Sequence, residues 1–226
     1  MEKFLALGRR APHLTRQAFF DEFVARAAPL VVAAPQVSRY VVNLVDVPAE
    51  DVGLRPGGEP AFDVVAETWV DSIGDFLAVM ASVSLQTQDL IQSAPAYQVS
   101  EHLERDYDRD WPAGERSPGI KSFYLAKRRD DFSHEAFAHH WGANHAPLAL
   151  RHHVGMWRYV RNVVTGPMTP GAPDWDGMAA LHFRTSADFR ERFYDSDEGR
   201  RIIAADIASF TTGGRALHTS EYIVKG

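Results

Sequence analysis

The chain has 226 residues, 45% of them hydrophobic and 24% charged, with a formal charge of −6. This is enough apolar material for one large or two small domains, and lysines and arginines dispersed along an acidic chain leave no footprint for nucleic acid or an anionic membrane. There is no cysteine, which excludes disulfides, thiolate catalysis and zinc–sulfur sites and fits a reducing compartment, so the cytoplasm is the expected location. The opening stretch MEKFLALGRRAPH lacks the apolar core of a secretory signal, and no later segment approaches the roughly 20 apolar residues of a bilayer span.

In chain order the elements fall into two matching series. KFLALGRR at 3–10 reads as a strand and pairs with SFYLAKRR at 122–129, each an apolar run closed by two arginines. LTRQAF at 14–19 and FSHEAF at 132–137 open helices, with Thr15 and Ser133 as N-caps whose side-chain oxygens accept a free backbone N–H. Phe19, Phe23 and Leu30 recur at i, i+4 and i+11, as do Phe137, Trp141 and Leu148, so each helix keeps one face toward a core; Pro29 and Pro147 also coincide. RYVVN at 39–43 and RYVRN at 158–162 have the β-branched and aromatic content of second strands. VVAETWVDSIGDF at 64–76 and GMAALHFRTSADF at 177–189 each run a third strand into a capped helix, and VSEHLE at 99–104 and TSEYIV at 219–224 supply the fourth strands. The Gly/Pro-rich stretches VPAEDVGLRPGGEPAF and TGPMTPGAPDW read as loops, and DYDRDWPAGERSPG at 106–119 as the connection between halves.

The fold class is therefore α+β: two ferredoxin-like β-α-β-β-α-β repeats over 1–108 and 119–226, joined by a linker at 109–118. A sheet with its helices on one face must cover the other, and two such sheets in one chain can cover each other, enclosing a candidate ligand space.

The second half resembles the EthD family of the dimeric α+β-barrel superfamily through this order of elements and through FAHHWGANHAPL at 137–148, in which His145 and Pro147 carry most of the match. The first half keeps Phe23 and Pro29 but has Ala27 where His145 sits, and looks like a degenerate copy with one functional site left between the two. The resemblance implies a barrel made by pairing the halves. Its superfamily includes cofactor-free decarboxylases, dehydratases, isomerases, cyclases and oxygenases, with haem-binding branches, and fold analogy alone does not choose among them.

His145 is the most informative residue, because an imidazole on an apolar stripe reads as a partly buried general acid/base, against the alternative of a core histidine bonded to backbone. In the third strands Leu181 and Phe183 correspond to Thr68 and Val70 beneath the helices, which turns His182, Glu67 and Trp69 toward the enclosed space. Glu67 and His182 are thus expected as an acid/base pair, with an ordinary ion pair as the plain alternative. Tyr159 and Tyr40 are equivalent positions suited to hydrogen-bonding an enol or phenol oxygen, Tyr124 and Trp157 suit aromatic walls, and Asn144 is a candidate for orienting a carbonyl.

The histidine doublets His139-His140 and His152-His153 read as exposed. His134 and His139 stand about 140° apart on an α-helix, and His145 and His152 about 10.5 Å, so no metal site is expected. No dinucleotide, P-loop or esterase-elbow motif occurs, and no cofactor is expected. The expected activity is cofactor-independent lyase or isomerase chemistry on a small aromatic or polyketide-like carbonyl compound. The rivals are a non-catalytic small-ligand binding protein and a haem-binding barrel or cofactor-free oxygenase. The expected partner is a small apolar or aromatic substrate, with a homodimer left open.

Overall fold

A computed structural model describes residues 1–53 and 60–226. The first half runs β1 (Glu2–Arg10), α1 (Arg16–Glu22), α2 (Ala28–Ala33), β2 (Val37–Leu44), β3 (Val64–Val70), α3 (Ile73–Thr87), β4 (Ile91–Ser93) and β5 (Ala96–Arg105). The second runs β6 (Ile120–Arg128), α4 (His134–His140), α5 (Ala146–His152), β7 (Met156–Pro167), β8 (Gly177–Phe183), α6 (Ser186–Glu191), α7 (Asp197–Phe210) and β9 (Thr211–Lys225). Of the loop stretch after β2, residues 54–59 lie outside the described residues. Thr15 and Ser133 cap their helices as expected, each side chain accepting a backbone N–H three residues on, from Ala18 and Ala136.

Neither first helix of a half is a plain α-helix. A π turn covers Phe23–Ala27 between α1 and α2, and another covers Trp141–His145 between α4 and α5. In each the N–H after the turn reaches back five residues, Ala28 to Phe23 and Ala146 to Trp141, and a proline follows at once, Pro29 or Pro147. A proline ring inside an α-helix collides with the carbonyl four residues earlier; the wider turn in front of it moves that carbonyl away.

Within the halves the strands pair β2-β3-β1-β5 and β7-β8-β6-β9, the ferredoxin-like order. Between halves β2 pairs with β9 and β5 with β7, all antiparallel, closing eight strands into a barrel related by a pseudo-two-fold axis. β4 is a short addition beside β1.

The barrel interior is filled in three layers. At one end lie Leu5, Leu7, Val65, Val99, Phe123, Leu125, Val160 and Met178 with their apolar neighbours. The middle layer is ionic. Lys3 contacts Glu67 at 2.8 Å and Glu101 at 2.7 Å; Lys121 contacts Glu221 at 2.6 Å and also pairs closely with Glu67, which accepts from Asn43 Nδ2 at 3.1 Å. The far end is aromatic, with Trp69, Trp111, Val41 and Ile223 packed against Tyr107 and Trp157.

Lys3 and Lys121 are the structural equivalents, as are Arg10 and Arg128, which bind the buried carboxylates Asp63 and Asp176. The first strands therefore align one residue away from the KFLALGRR/SFYLAKRR match, so Phe4 faces the helices and Phe123 the barrel interior. The segment at 109–118 is not merely a linker: it crosses the aromatic end of the barrel, burying Trp111 against β2, β3 and β9 and donating from Ser117 Oγ to Glu221 at 2.8 Å. No helix among the described residues is long and apolar enough to cross a membrane.

Burial would raise Glu67 and Glu221, but the lysines outweigh it, holding Glu67 well below the carboxylate range and Glu221 at about 2. Because the folded value of Glu221 lies below its unfolded value, its contribution is complete above the ordinary carboxylate pKa and is lost as pH falls through about 2. The urea concentration at the unfolding midpoint is expected to fall steadily below about pH 4.5, the ordinary value for a glutamate. Lys121→Met, which takes the lysine from buried Glu221 and leaves Glu67 with Lys3 alone, should cost about 3–5 kcal/mol at pH 7 in the same assay.

Candidate functional site

Closing the barrel places ligand space outside it, between the sheet and the helices. In the second half a cavity of about 350 Å³ lies between β6, β7, β8 and β9 on one side and α4, α5 and α7 on the other, with His145, Tyr124, Tyr159 and Trp141 in its wall and Arg215 of β9 at its exposed side. His145 Nδ1 lies 2.7 Å from Asp206 Oδ2 on α7, and His140 Nε2 lies 3.0 Å from Asp206 Oδ1. A carboxylate only accepts, so Nδ1 carries the imidazole proton and Nε2 presents its lone pair, with no partner among the described residues. Burial pulls the His145 pKa down further than Asp206 raises it, so the ring is neutral at pH 7.

The π turn brings His140 and His145 to one carboxylate. On a regular α-helix i and i+5 diverge by about 140°, whereas a turn closed by i to i+5 bonds stacks them. A second neutral imidazole, His153, also lines the cavity; its Nδ1 lies 2.7 Å from the Phe193 carbonyl, and burial lowers its pKa to about 4.

On the sheet side, Tyr159 is 1% exposed and its hydroxyl accepts from Trp141 Nε1 at 2.9 Å, leaving its own proton to donate. Burial raises the pKa of both Tyr159 and Tyr124, so both are neutral phenols. Trp141 reaches the sheet only because Gly177 stands opposite it: a Cβ there would sit 2.2 Å from the indole ring. In the first half the same two positions hold Phe23 and Val64, a smaller ring over a larger neighbour.

Of the residues singled out from sequence, His145, Tyr159 and Tyr124 come together in this cavity. His182 and Glu67 do face inward, but inward is the filled ionic layer on the opposite side of the sheet from His145, so the expected shared acid/base cavity does not form. His182 Nε2 donates to the Pro118 carbonyl at 2.8 Å and its Nδ1 lies 3.7 Å from Glu221, while burial lowers its pKa. Trp69 and Trp157 belong to the aromatic plug, Tyr40 lines a separate cavity in the first half, and Asn144 is exposed. His152 and His153 are buried rather than exposed, fixed by Asp195 and the Phe193 carbonyl. Sequence reasoning missed Asp206, 61 residues from His145 on an ordinary amphipathic helix.

The family model for the EthD domain matches residues 11–92 and 129–214, which together span most of the chain. The chain belongs to the EthD family. Both copies are matched, including the one that lacks the histidine. Among solved structures, an anthrone oxidase-like protein aligns at 10% identity over 99% of this chain and 90% of that one, with a TM-score of 0.59. A chlorite dismutase variant from Candidatus Nitrospira defluvii aligns at 10% identity over 97% and 90%, with a TM-score of 0.59. A haem-binding protein from Thermus thermophilus aligns at 14% over 97% and 90%, with a TM-score of 0.54. At these identities the likeness is one of fold: the dimeric α+β barrel, here within one chain. No curated protein sequence matches significantly.

NMR titration of the imidazole carbons should find His145 below the usual histidine value of about 6.5. Asp206→Asn removes the group that raises it, so the midpoint should fall further. An unchanged midpoint would mean that the carboxylate does not govern this ring.

Proposed function

We propose that this EthD-family protein is an acid/base enzyme, a cofactor-independent lyase or isomerase acting on a small aromatic or polyketide-like carbonyl compound held between the sheet and helices of the second half. One observation carries the reading: His145 is anchored through Nδ1 by Asp206 and presents an unpartnered Nε2 to a largely apolar cavity. A neutral imidazole in such a place is a base at pH 7, and its fixed tautomer spares it from reorienting during the reaction.

In this mechanism Nε2 takes a proton from the carbon next to the substrate carbonyl. The carbon–hydrogen electron pair moves into the enolate, whose oxygen accepts a hydrogen bond from Tyr159, itself polarised by the Trp141 N–H on its oxygen. The imidazolium, stabilised by Asp206, then returns the proton to a different carbon in an isomerisation or to a departing hydroxyl in a dehydration. Glu67 and His182, locked in the barrel, contribute stability and no proton to this sequence.

A second reading rests on the same dyad. An imidazole tied through one nitrogen to a carboxylate is also the donor arrangement of a haem-binding histidine. His145 would hold the iron, and the group would then supply redox chemistry.

Turnover of a panel of aromatic carbonyl compounds by the purified protein tests both. His145→Ala is expected to lower kcat/KM by about 10²–10⁴ and Tyr159→Phe by about tenfold. The wild-type rate should fall as pH drops through the depressed His145 pKa, because protonation removes the base. Full turnover by His145→Ala sinks the acid/base assignment. A Soret band that forms on haem addition and disappears in His145→Ala moves the assignment to the second reading.

A further inference from the structure

The first half has lost its histidine but not its cavity. A space of about 320 Å³ lies between β1, β2 and β3 and the helices α2 and α3, at the position equivalent to the candidate active site. Among its described lining residues Tyr40 is the only ionisable one; the rest are apolar or neutral polar, the latter being Thr68, Thr87 and Thr169, Ser84 and Ser93, and Gln88 and Gln92.

The decisive side chain is Tyr40. It is 2% exposed, and its hydroxyl has no hydrogen-bond partner among the described residues. Its equivalent, Tyr159, accepts from the Trp141 indole, and the exchange of Trp141 for Phe23 takes that donor away in the first half. The hydroxyl opens onto the cavity with its proton free to be donated to a molecule bound there. A copy retained only as a structural half would be expected to replace the tyrosine by phenylalanine and fill the space.

We propose that this cavity is a second, non-catalytic binding site for a neutral, largely apolar small molecule whose carbonyl or hydroxyl oxygen accepts a hydrogen bond from Tyr40. The absence of any charged side chain in the described wall gives it a selectivity: an ionised carboxylate would be desolvated there with no counter-charge, whereas its uncharged ketone counterpart loses little. The described wall holds no base, since Ala27 stands where His145 stands in the other half. It therefore holds its ligand unchanged. This inference is independent of the chemistry assigned to His145.

Fluorine NMR with 4-fluoroacetophenone as the probe and 4-fluorobenzoate as its charged counterpart tests it, using the full chain. The ketone should bind with a site that is lost in Ala66→Phe, which places a ring in the first cavity, and kept in Ala179→Phe, which fills the second. Tyr40→Phe should weaken that site about tenfold while leaving the melting temperature of the free protein unchanged or higher, because the hydroxyl it removes has no partner to lose. Tyr40→Phe also keeps the test decisive should Ala66→Phe fail to fold. Ketone binding unaltered by both Tyr40→Phe and Ala66→Phe, no ketone binding at all, or equal binding of the benzoate in the first cavity would each overturn the proposal. Failure of the His145 enzyme assay would leave these binding results unaffected.

Discussion

Everything in this molecule follows from closing eight strands into one barrel. β2 against β9 and β5 against β7 remove the free edges that either half would present alone. A barrel of eight strands can be filled by side chains or hold one small ligand, and here side chains fill the interior. Each inward residue is thus committed to packing or to the ionic layer, and the two cavities described above lie on the outer face, under the helices. The barrel core and the site are built by alternate residues of the same strands: Val160 and Asn162 point inward while Tyr159 points to the cavity.

The ionic layer illustrates how two halves become one folding unit. Lys3 with Glu101 and Lys121 with Glu221 are related by the pseudo-two-fold axis, and Glu67 sits between the two lysines without a counterpart, since Ala180 occupies its equivalent position. Such a layer is a poor source of net stability compared with apolar packing. It does set register, because a one-residue slip of any of these strands would put a bare charge under a helix.

Much of the fold was legible in the amino-acid order. The capping residues Thr15 and Ser133, the paired prolines and the RYV strands located both repeats, and the parity of β3 and β8 placed Leu181 and Phe183 beneath the helices. What failed had physical causes. β3 and β8 are almost wholly buried on both faces, so alternation there carries no polar contrast, and knowing that Glu67 faced inward did not say whether inward was empty or full. The first strands slipped by one residue because two arginines in one copy face a Lys-Arg-Arg run in the other. The dyad was hidden twice over. Asp206 comes from a distant helix, and the pairing of His140 with His145 depends on a π turn that a 3.6-residue period cannot represent.

The two halves also differ in one coupled exchange. A phenylalanine over valine in the first becomes a tryptophan over glycine in the second, and with it a tyrosine gains a hydrogen-bond donor. A barrel assembled from two identical chains could not make that exchange once, for each substitution would appear in both sites. Covalent fusion of the halves lifts this restriction: the strands that hold the barrel shut can stay alike while the spaces beneath the two helix layers diverge toward different occupants.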